Sequence, residues 1–545
     1  MVGFRFQVQK EGSGSAGVAI AIGLFVAFGG ILFGYDTGTI GGILGMDYWI
    51  KEFARDEHEN GRKFISSADK SLIVSILSVG TFFGALLSAQ VADYFGRKHG
   101  LMISSVVFTI GVIFQTAATE IIILVVGRLI AGLGVGLLSA QVPMYQSETS
   151  PKWIRGAIVG SYQLAITIGL LLASCANQGT HERQDTGSYR IPLSIQFVWA
   201  LILFFGMMLL PETPRFLIKR NRFDDAAKSL STLRRLPLDH PEIIAELNEI
   251  KANHEYEMSI GQTSYKKLLS NQSGFLRKRL LTGVGIQVFQ QLSGANFIFY
   301  YGTTFFQSAG IKNSFVVSLI TNCVNVVSTL PGLWLVDNWG RRNLLLFGAA
   351  GMSICQLIVA IVGTVSQSQA AHNTLVAFVC IYIFFFASSP VAWVVTGEIF
   401  PLKARAKGLS ITTAANWLLN WAIGYATPYM VDSGPGNANL GAKVFFVWGS
   451  FCALSFAFVW AFIYETKGFT LEQVDEIYAK VLHAWNSPGF EPTVKFIEVA
   501  EEVQQQPYEG GRRPTLSEIE ASAIRRKSSV RLPEKDEKIV ESEIQ

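Results

Sequence analysis

The chain has 545 residues, of which 50% are hydrophobic and only 16% are charged, against about 25% charged residues in an average soluble protein. Its formal net charge of +4 is small for this length, so the charge gives no support to a nucleic-acid-binding protein. The mean hydropathy of +0.34 and the long uncharged stretches exclude a disordered chain, a coiled coil and a disulfide scaffold, and they predict a membrane protein.

Twelve apolar runs are long enough to cross a bilayer, which takes about 20 mostly apolar residues in a helix. Residues 1–16 are short and polar, and the first run is too long for a signal peptide, so we expect no cleaved signal. The predicted spans, in chain order, are 17–46, 71–92, 99–119, 121–146, 156–178, 193–211, 277–308, 313–336, 343–367, 373–400, 408–431 and 441–464.

Two loop motifs repeat between the first and second sets of six spans. DYFGRK at 93–98 separates spans 2 and 3, and DNWGRR at 337–342 separates spans 8 and 9. ETSPKWIRG at 148–156 follows span 4, and EIFPLKARAKG at 398–408 follows span 10. Parallel repeats of this kind are typical of transporters built from two related bundles.

The predicted fold is therefore an all-α membrane protein with twelve transmembrane helices in two six-helix halves. Most of the 45 Lys and Arg lie on the side that carries both termini, so the positive-inside rule places both termini in the cytosol. The predicted segments are a cytosolic N-terminus (1–16), a first bundle (17–211), an intracellular helical linker (212–276), a second bundle (277–464) and a cytosolic tail (465–545), largely disordered beyond about residue 485.

Charged residues in the repeated motifs form a candidate gate. Their side chains can pair at the cytosolic edge of the membrane, latch one half to the other, and separate when the halves rock. A purely structural role is the alternative, because ion pairs in contact with water contribute little free energy. The gating candidates are Asp93, Arg97, Glu148, Arg155, Asp337, Arg341, Glu398 and Arg405.

Two ionisable residues, Asp36 in span 1 and Arg128 in span 4, lie inside the apolar runs. An unpaired charge at the centre of a spanning helix costs about 2.5–3.5 kcal/mol, so we expect these two side chains to neutralise each other. A carboxylate that alternates between pairing with arginine and taking a proton is a candidate proton relay. A permanent structural ion pair is the alternative.

Uncharged polar residues in the spans indicate the substrate. Amides donate and accept hydrogen bonds together, which suits neutral solutes rich in hydroxyl groups, and a tryptophan can cover the apolar face of a sugar ring. Hydrogen bonding between helices is the alternative for each amide. Span 7 is expected to break near Ser293-Gly294. The candidate substrate-binding residues are Gln163, Gln290, Gln291, Asn296, Asn325, Trp393 and Asn416.

Motifs of other protein classes are missing from the sequence. It contains no GxxxxGK[ST] loop and no nucleophile elbow, so an ATPase and a hydrolase are excluded. The glycine run at 132–136 lies inside span 4, which favours close helix packing over a dinucleotide loop. The five cysteines and seven histidines show neither CxxC spacing nor a His/Cys cluster. We therefore expect no enzyme activity, no metal site and no cofactor.

Seven motifs in a fixed order make the chain resemble the sugar porters of the major facilitator superfamily, and most of all the fungal high-affinity glucose and hexose transporters. The resemblance covers about residues 17 to 475. The motifs are GYDTGTIGG at 34–42, GRLIAGLGVG at 127–136, PMYQSETSPKWIRG at 143–156, PETPRFL at 211–217, QQLSGANFIFYYG at 290–302, GEIFPLKARAKG at 397–408 and YETKGFTLEQVDE at 464–476.

The resemblance implies monosaccharide transport by alternating access, with glucose as the expected substrate and sugar:proton symport as the expected mode. It assigns sugar contacts, proton coupling and gating to the three sets of candidates named above. Ala89, Ser389 and Tyr464 depart from the family pattern without removing a proposed ligand. The alternatives are a facilitated hexose uniporter, a pentose, galactose or quinate transporter, and a glucose sensor that does not transport.

The expected setting of the protein is the lipid bilayer of the plasma membrane, with a monosaccharide and a proton as partners and no nucleic acid. In the tail, RRKSS at 525–529 is a candidate phosphorylation site through which kinases or the endocytic machinery act. An ordinary charged tail is the favoured interpretation of the same residues.

Overall fold

The computed structural model describes residues 17–57, 63–151, 154–260, 264–269, 275–311, 313–366, 368–388, 391–469 and 471–490. The first half of the chain contains the helices α1 (Gly17–Val26), α2 (Phe28–Ile43), α3 (Asp47–Phe53), α4 (Ser67–Phe95), α5 (Arg97–Ala117), α6 (Ile121–Thr149), α7 (Arg155–Thr180) and α8 (Gly187–Leu209). Two strands, β1 (Asp56–Glu57) and β2 (Lys63–Phe64), pair in antiparallel fashion and are a small addition to the predicted all-α fold.

A linker of four helices follows, and the second bundle then repeats the pattern of the first. The linker helices are α9 (Pro214–Lys219), α10 (Phe223–Arg234), α11 (Pro241–Ile260) and α12 (Tyr265–Leu268). The remaining helices are α13 (Leu276–Leu292), α14 (Ala295–Ser308), α15 (Ser314–Trp339), α16 (Arg341–Val365), α17 (Gln369–Ala387), α18 (Val391–Glu398), α19 (Leu402–Val431), α20 (Val444–Phe462) and α21 (Leu471–Lys480).

Within the described residues, ten helical stretches are long and apolar enough to cross a membrane. The two other predicted spans are also helical but miss this criterion. Span 7 is divided into α13 and α14, as expected, because Gly294 adopts φ +82° and caps α14. Span 11 is the long helix α19, which carries the polar residues Asn416 and Asn420 in its middle.

Close approach of helix backbones explains part of the glycine pattern of span 4. A Cβ on Gly132 would lie 2.3 Å from the carbonyl oxygen of Leu77, and one on Gly136 would lie 2.3 Å from that of Thr81. Both contacts join α6 to α4 at distances that no side chain allows. The prediction that these glycines serve helix packing is therefore confirmed by the geometry.

The linker lies at one end of the helices, which we call the linker side. There, Arg220 donates to the backbone oxygens of Asp93 and Tyr94, and Arg234 donates to that of Thr149. The opposite end, which we call the far side, holds the β1–β2 hairpin and the loop 432–440 that follows α19. Successive spanning helices alternate between these two sides.

The linker and the described part of the tail are both packed against the helical bundles. Leu217, Ile218 and Ala226 form a small buried cluster with Leu247 and Ile250, so the linker helices α9, α10 and α11 pack against one another. The tail helix α21 is followed by a 3-10 turn at Ala484–Gly489. Residues 491–545, for most of which disorder was predicted, lie outside the described residues.

Candidate substrate site and gate

A network of buried amides lies between α13, α14 and α19. The Gln291 Nε2 donates to Asn416 Oδ1 at 2.9 Å, and the Asn416 Nδ2 donates to Gln287 Oε1 at 2.8 Å and to Gln290 Oε1 at 3.1 Å. Asn296 on α14 donates to Gln291 Oε1. The break at Gly294 lets α13 and α14 contribute to the same network. Four of the seven predicted substrate-binding residues are therefore in direct contact.

Asn420 connects this network to the other half of the molecule. Its Nδ2 donates to Gln291 Oε1 at 3.4 Å, while its Oδ1 accepts from Ser78 Oγ on α4 at 2.5 Å and from Tyr300 OH at 3.1 Å. Asn420 and Gln287 were not among the predicted substrate-binding residues. Their spacing was the available signal, because residues four apart share one face of a helix with Asn416 and Gln291 respectively.

The other three predicted substrate-binding residues lie on different helices. Gln163 is half-buried on α7, Asn325 is only 2% exposed on α15, and Trp393 is 39% exposed on α18. In the part of the chain that the structure describes, none of the three side chains joins the amide network by a hydrogen bond. A role in binding sugar for these three remains a prediction.

Asp36 and Arg128 form the buried ion pair that the sequence predicts. Both side chains are 0% exposed, and Arg128 Nη1 lies 3.7 Å from Asp36 Oδ2. Arg128 Nε donates at 2.6 Å to the backbone oxygen of Ile73 on α4. Among the described residues, neither carboxylate oxygen of Asp36 has a hydrogen-bond partner. The amides of Gln115 and Gln196 adjoin the carboxylate and are themselves buried.

On the linker side of the first half, Arg97 is the centre of a charged cluster. Arg97 Nη2 lies 3.1 Å from Glu148 Oε1, and Arg97 Nη1 lies 3.4 Å from Asp93 Oδ1. Thr213 Oγ1 donates to Glu148 Oε2 at 2.5 Å. The backbone N–H groups of Arg97 and Lys98 donate to the carboxylate of Glu212. Burial raises the pKa of the Glu212 carboxyl, and these hydrogen bonds oppose that shift.

The second half repeats this cluster almost residue for residue. Arg341 Nη2 lies 2.9 Å from Glu398 Oε1, and Thr466 Oγ1 donates to Glu398 Oε2 at 2.6 Å. The backbone N–H groups of Arg341 and Arg342 donate to the carboxylate of Glu465. The side chain of Asp337, also predicted to take part, lies outside the described part of the structure.

These clusters differ from the prediction in one respect and extend it in another. The ion pairs Arg97–Glu148 and Arg341–Glu398 each join helices of one half, whereas the predicted pairs latch one half to the other. The carboxylates of Glu212 and Glu465 were missed as partners. The shared Glu-Thr dipeptide in PETPRFL and YETKGFT was the available signal.

The last two gating candidates lie among other charges on the linker side. Arg155 is an electrostatic neighbour of Arg215, Arg234 and Glu246. Arg405, from the second half, neighbours Glu398 and Arg215. Arg405 in the second half and Arg215 on the linker helix α9 are like charges, so they repel each other.

The identity of the chain follows from comparison with known families. The model of a family described as "Sugar (and other) transporter" matches residues 22–478. The chain belongs to this family. Because the family consists of transporters, the prediction that the chain is not an enzyme is confirmed, as is its resemblance to the sugar porters.

The transporter is similar to several fungal proteins over most of its length. It is 56% identical to the major facilitator-type transporter ecdD of Aspergillus rugulosus, over 90% of this chain and 93% of the relative. It is 50% identical to the probable glucose transporter rco-3 of Neurospora crassa, over 92% of this chain and 88% of the relative. It is 44% identical to the high glucose sensor RGT2 of Saccharomyces cerevisiae, over 85% of this chain and 61% of the relative.

Among solved structures, the transporter resembles the xylose transporter XylE of E. coli. The inward-open form is 26% identical and aligns with a TM-score of 0.68 over 84% of this chain and 99% of XylE. The form described as a proton:xylose symporter bound to 6-bromo-6-deoxy-D-glucose is 27% identical, with a TM-score of 0.69 over 85% of this chain and 99% of XylE. The predicted major facilitator fold is therefore confirmed.

Proposed function

We propose that the transporter carries a monosaccharide, glucose in the first place, by alternating access between its two halves. The observation that carries this proposal is the buried amide network on α13, α14 and α19, which offers donors and acceptors to the hydroxyl groups of a neutral sugar. Its link to Ser78 on α4 couples that network to the first half. The description of the rco-3 relative as a probable glucose transporter supports glucose.

In this proposal, hydrogen bonds from the hydroxyl groups of the sugar replace the hydrogen bonds between the amides. Gln291 and Asn416 are the central ligands, because each makes more than one bond in the network. Trp393 covers an apolar face of the ring. The full set of proposed ligands is Gln163, Gln290, Gln291, Asn296, Asn325, Trp393 and Asn416, with Gln287 and Asn420 supporting them.

Proton coupling is assigned to Asp36 and Arg128. A proton on Asp36 would cancel its attraction to Arg128. The Arg128 side chain would still be partly stabilised, because its Nε donates to Ile73 O on α4. Loss of the ion pair frees α2 from α6 and lets the halves rearrange. The description of XylE as a proton:xylose symporter supports this assignment. A facilitated uniporter, with the pair as a permanent brace, is the alternative.

A gating role is retained for the charged clusters around Asp93, Arg97, Glu148 and Arg155, and for their counterparts Asp337, Arg341, Glu398 and Arg405. Because the Arg97–Glu148 and Arg341–Glu398 pairs each lie within one half, we propose that they keep that half rigid while it rocks. Their distance from the amide network suits residues that control access and do not touch the sugar.

The linker side is proposed to face the cytosol, with the protein in the plasma membrane. Arg and Lys are abundant in the turns and linker on this side, as the positive-inside rule requires. The segments 1–16, 17–211, 212–276, 277–464 and 465–545 remain the proposed domain division. A kinase or endocytic partner of the tail at 525–529 remains a prediction outside the described residues.

The test is uptake of radiolabelled glucose by yeast that lacks its own hexose transporters, with and without a protonophore. Uptake that collapses with the protonophore, together with alkalinisation of the medium, is the expected result. Uptake that only equilibrates, and that persists with the protonophore, would assign a uniporter. Competition with xylose, galactose and quinate in the same cells ranks the alternative substrates.

A glucose sensor is the second candidate, favoured by the 44% identity to RGT2. The chain covers only 61% of that sensor, however, so a large part of the sensor has no counterpart in the alignment. Surface expression of the protein without uptake of any tested sugar, combined with glucose-dependent signalling, would support the sensor over the transporter.

A further inference from the structure

A small polar cavity lies between the two halves, on the far side of the amide network. The first half contributes Asn177 and Ser174 from α7, and the second half contributes Asn322 and Ser318 from α15. Asn322 is one helical turn from Asn325, in the direction of the far side. The cavity is therefore adjacent to the proposed sugar site but is formed by a different set of side chains.

The hydrogen bonds around this cavity use every amide donor and leave two acceptors free. Asn322 Nδ2 donates to Ser174 Oγ at 2.7 Å and to Ser318 O at 3.0 Å. Asn177 Nδ2 donates to Gly38 O at 3.1 Å and to Thr39 O at 3.3 Å. Among the described residues, Oδ1 of Asn177 and Oδ1 of Asn322 are buried without a partner.

Two unpaired amide oxygens define the chemistry of the ligand. Asn177 is 3% exposed and Asn322 is 7% exposed, so solvent does not satisfy these oxygens, and a buried acceptor without a donor is unfavourable. A ligand that satisfies them must bring hydrogen-bond donors, and the hydroxyl groups of a sugar are such donors. The lining contains no carboxylate, which makes a metal cation a poor fit, and the rings of Phe299 and Phe315 offer apolar faces to C–H groups.

The two free acceptors belong to opposite halves, so the distance between them depends on the state of the transporter. When the halves part on the far side, the cavity opens and the Asn322–Ser174 hydrogen bond breaks. When the halves approach each other, Oδ1 of Asn177 and Oδ1 of Asn322 both come close to a molecule bound between α7 and α15. A molecule with two or more hydroxyl groups is held best while this side is closing.

We propose that Asn177 and Asn322 form an outer subsite that binds the hydroxyl groups of the monosaccharide before it reaches the amide network. This inference rests on the proposed sugar transport and adds a second binding position to it. The outer subsite acts on sugar that arrives from the far side. Sugar that arrives from the linker side reaches the amide network first and does not need it.

The test compares Asn322→Leu with Asn325→Leu, a matched change one turn away on the same helix. In cells, KM is measured for uptake from outside, and in inverted vesicles the inhibition constant of glucose is measured from the linker side. Asn322→Leu is expected to raise the outside KM about tenfold, as for loss of one hydrogen bond to a buried group, with the inner constant unchanged. Asn325→Leu is expected to weaken glucose binding from both sides, so that the outside KM and the inner inhibition constant both rise.

A series of deoxyglucoses identifies the hydroxyl that donates to Asn322. In the wild type, at least one deoxy analogue is expected to lose outside affinity, and this loss should disappear in Asn322→Leu while the losses of the other analogues remain. Ser174→Ala provides the second variant, because it removes the bond between the halves without touching the free oxygen. It is expected to keep the same deoxy-specific loss.

Equal losses for every analogue in wild type and Asn322→Leu would overturn the outer subsite while leaving sugar transport intact. The outer subsite would also be overturned if the outside KM and the inner inhibition constant shifted in opposite directions in both Asn322→Leu and Ser174→Ala. That pattern is expected of a contact that only changes the ratio of the outward-open and inward-open states. A wild type that is present at the surface and transports no monosaccharide would overturn both the proposed function and the subsite.

Discussion

At the scale of single residues, the surroundings of the Asp36 carboxylate bear on the proposed proton relay. It is fully buried, and its 3.7 Å distance to Arg128 is longer than a good hydrogen bond. Both of its oxygens lack a hydrogen-bond partner among the described residues. A carboxylate that is meant only to brace two helices would be expected to have these oxygens satisfied. In the proposed relay, one of these oxygens accepts the proton.

Asp36→Asn is expected to abolish accumulation of glucose against its gradient while preserving exchange of labelled for unlabelled glucose. The amide has the size of the carboxylate but cannot carry the proton. The measurement is uphill uptake and counterflow in the same vesicles, with Asp36→Glu as the control that keeps a titratable group. Uphill uptake that survives in Asp36→Asn would contradict the relay. A purely structural role of the wild-type ion pair would then be the remaining interpretation.

The same substitution tests the energetic side of the pair. Removing one member of a buried ion pair leaves the other charge uncompensated, at a cost of about 3–5 kcal/mol. Asp36→Asn should therefore lower the thermal unfolding temperature in detergent. Arg128 keeps its hydrogen bond to Ile73 O, so the loss should fall at the lower end of that range. An unchanged unfolding temperature would show that Arg128 is already solvated.

Asn416 makes three hydrogen bonds in the amide network, and Asn416→Ala should weaken sugar binding strongly. Its removal takes one hydrogen bond each from Gln287, Gln290 and Gln291. A loss of about 1–3 kcal/mol corresponds to a rise in KM of roughly 5- to 150-fold. Glucose uptake measures the effect, and Asn338→Ala, an exposed amide on the linker side, is the control. Equal KM values would remove Asn416 from the site.

The sequence predicted the members of this site better than it predicted their partners. Polarity inside an apolar run singled out Gln291 and Asn416, because the cost of burial makes such residues rare. Which amide meets which depends on the rotation of α13 against α19, and a single sequence contains no measure of that rotation. The four-residue spacing from Asn416 was a signal for Asn420, but the hydrogen bond that connects Asn420 to Ser78 is visible only in the structure.

At the scale of helices, the two repeated turns depend on backbone conformations that favour glycine. Gly96 has φ 94° and ψ 169°, and Gly340 has φ 94° and ψ 163°. This region is essentially restricted to glycine. A Cβ at Gly96 would also lie 2.3 Å from Glu212 Oε2, and one at Gly340 would lie 2.5 Å from Glu465 Oε2. Each turn therefore fixes its carboxylate to the following helix.

Gly96→Ala and Gly340→Ala are each expected to destabilise the protein by about 1–3 kcal/mol, because both strain the backbone and displace a bound carboxylate. The readout is the thermal unfolding temperature of the purified transporter. Gly156→Ala is the control, since a Cβ there meets no atom within 4 Å and alanine favours a helix over glycine. A Gly96→Ala or Gly340→Ala variant as stable as the control would contradict this explanation.

Helix positions were predicted more accurately than helix ends. The twelve apolar runs coincide with the helical stretches, but α4 begins at Ser67 and α8 begins at Gly187, earlier than predicted. Hydropathy detects only the part of a helix that lies in the apolar core, while the remaining turns are polar and extend beyond it. The cap at Ser66, whose side chain accepts from Asp69 N, was the available signal for α4.

At the scale of the whole molecule, polar contacts between the halves cluster toward the far side. Ser71 on α4 donates to Tyr425 O at 2.7 Å, and Gln307 on α14 donates to Gly45 O at 2.9 Å. On the linker side, Arg215 and Arg405 place like charges near the junction. The molecule is thus held together at the far side, which corresponds to a state that opens toward the linker side.

We define the far-side latch as Lys70, Asp432, Ser67 and Asn437, which connect the start of α4 to the end of α19. Lys70 Nζ lies 2.9 Å from Asp432 Oδ2, and Ser67 Oγ donates to the same oxygen at 3.2 Å. Asn437 Nδ2 donates to Ser67 Oγ at 2.9 Å. These contacts must break whenever the far side opens, so they stabilise one state of the cycle and not the other.

Lys70→Met and Asp432→Asn should each shift the transporter toward the state that opens to the far side. The two side chains are 22% and 28% exposed, so the pair contributes about 1 kcal/mol, near the upper end for ion pairs in contact with water. That free energy corresponds to roughly a fivefold change in the ratio of the two states. The exchanged pair Lys70→Asp with Asp432→Lys should restore the ratio, because it restores the attraction.

Spin labels at Thr186 and Asn313, on far-side loops of the first and second halves, measure this ratio directly through their distance distribution. Each single variant should increase the population at the longer distance, and the exchanged pair should return it to the wild-type value. Glu182→Gln, on a far-side loop away from the latch, is the control. A distribution that does not change in either single variant would show that the latch is an ordinary surface ion pair.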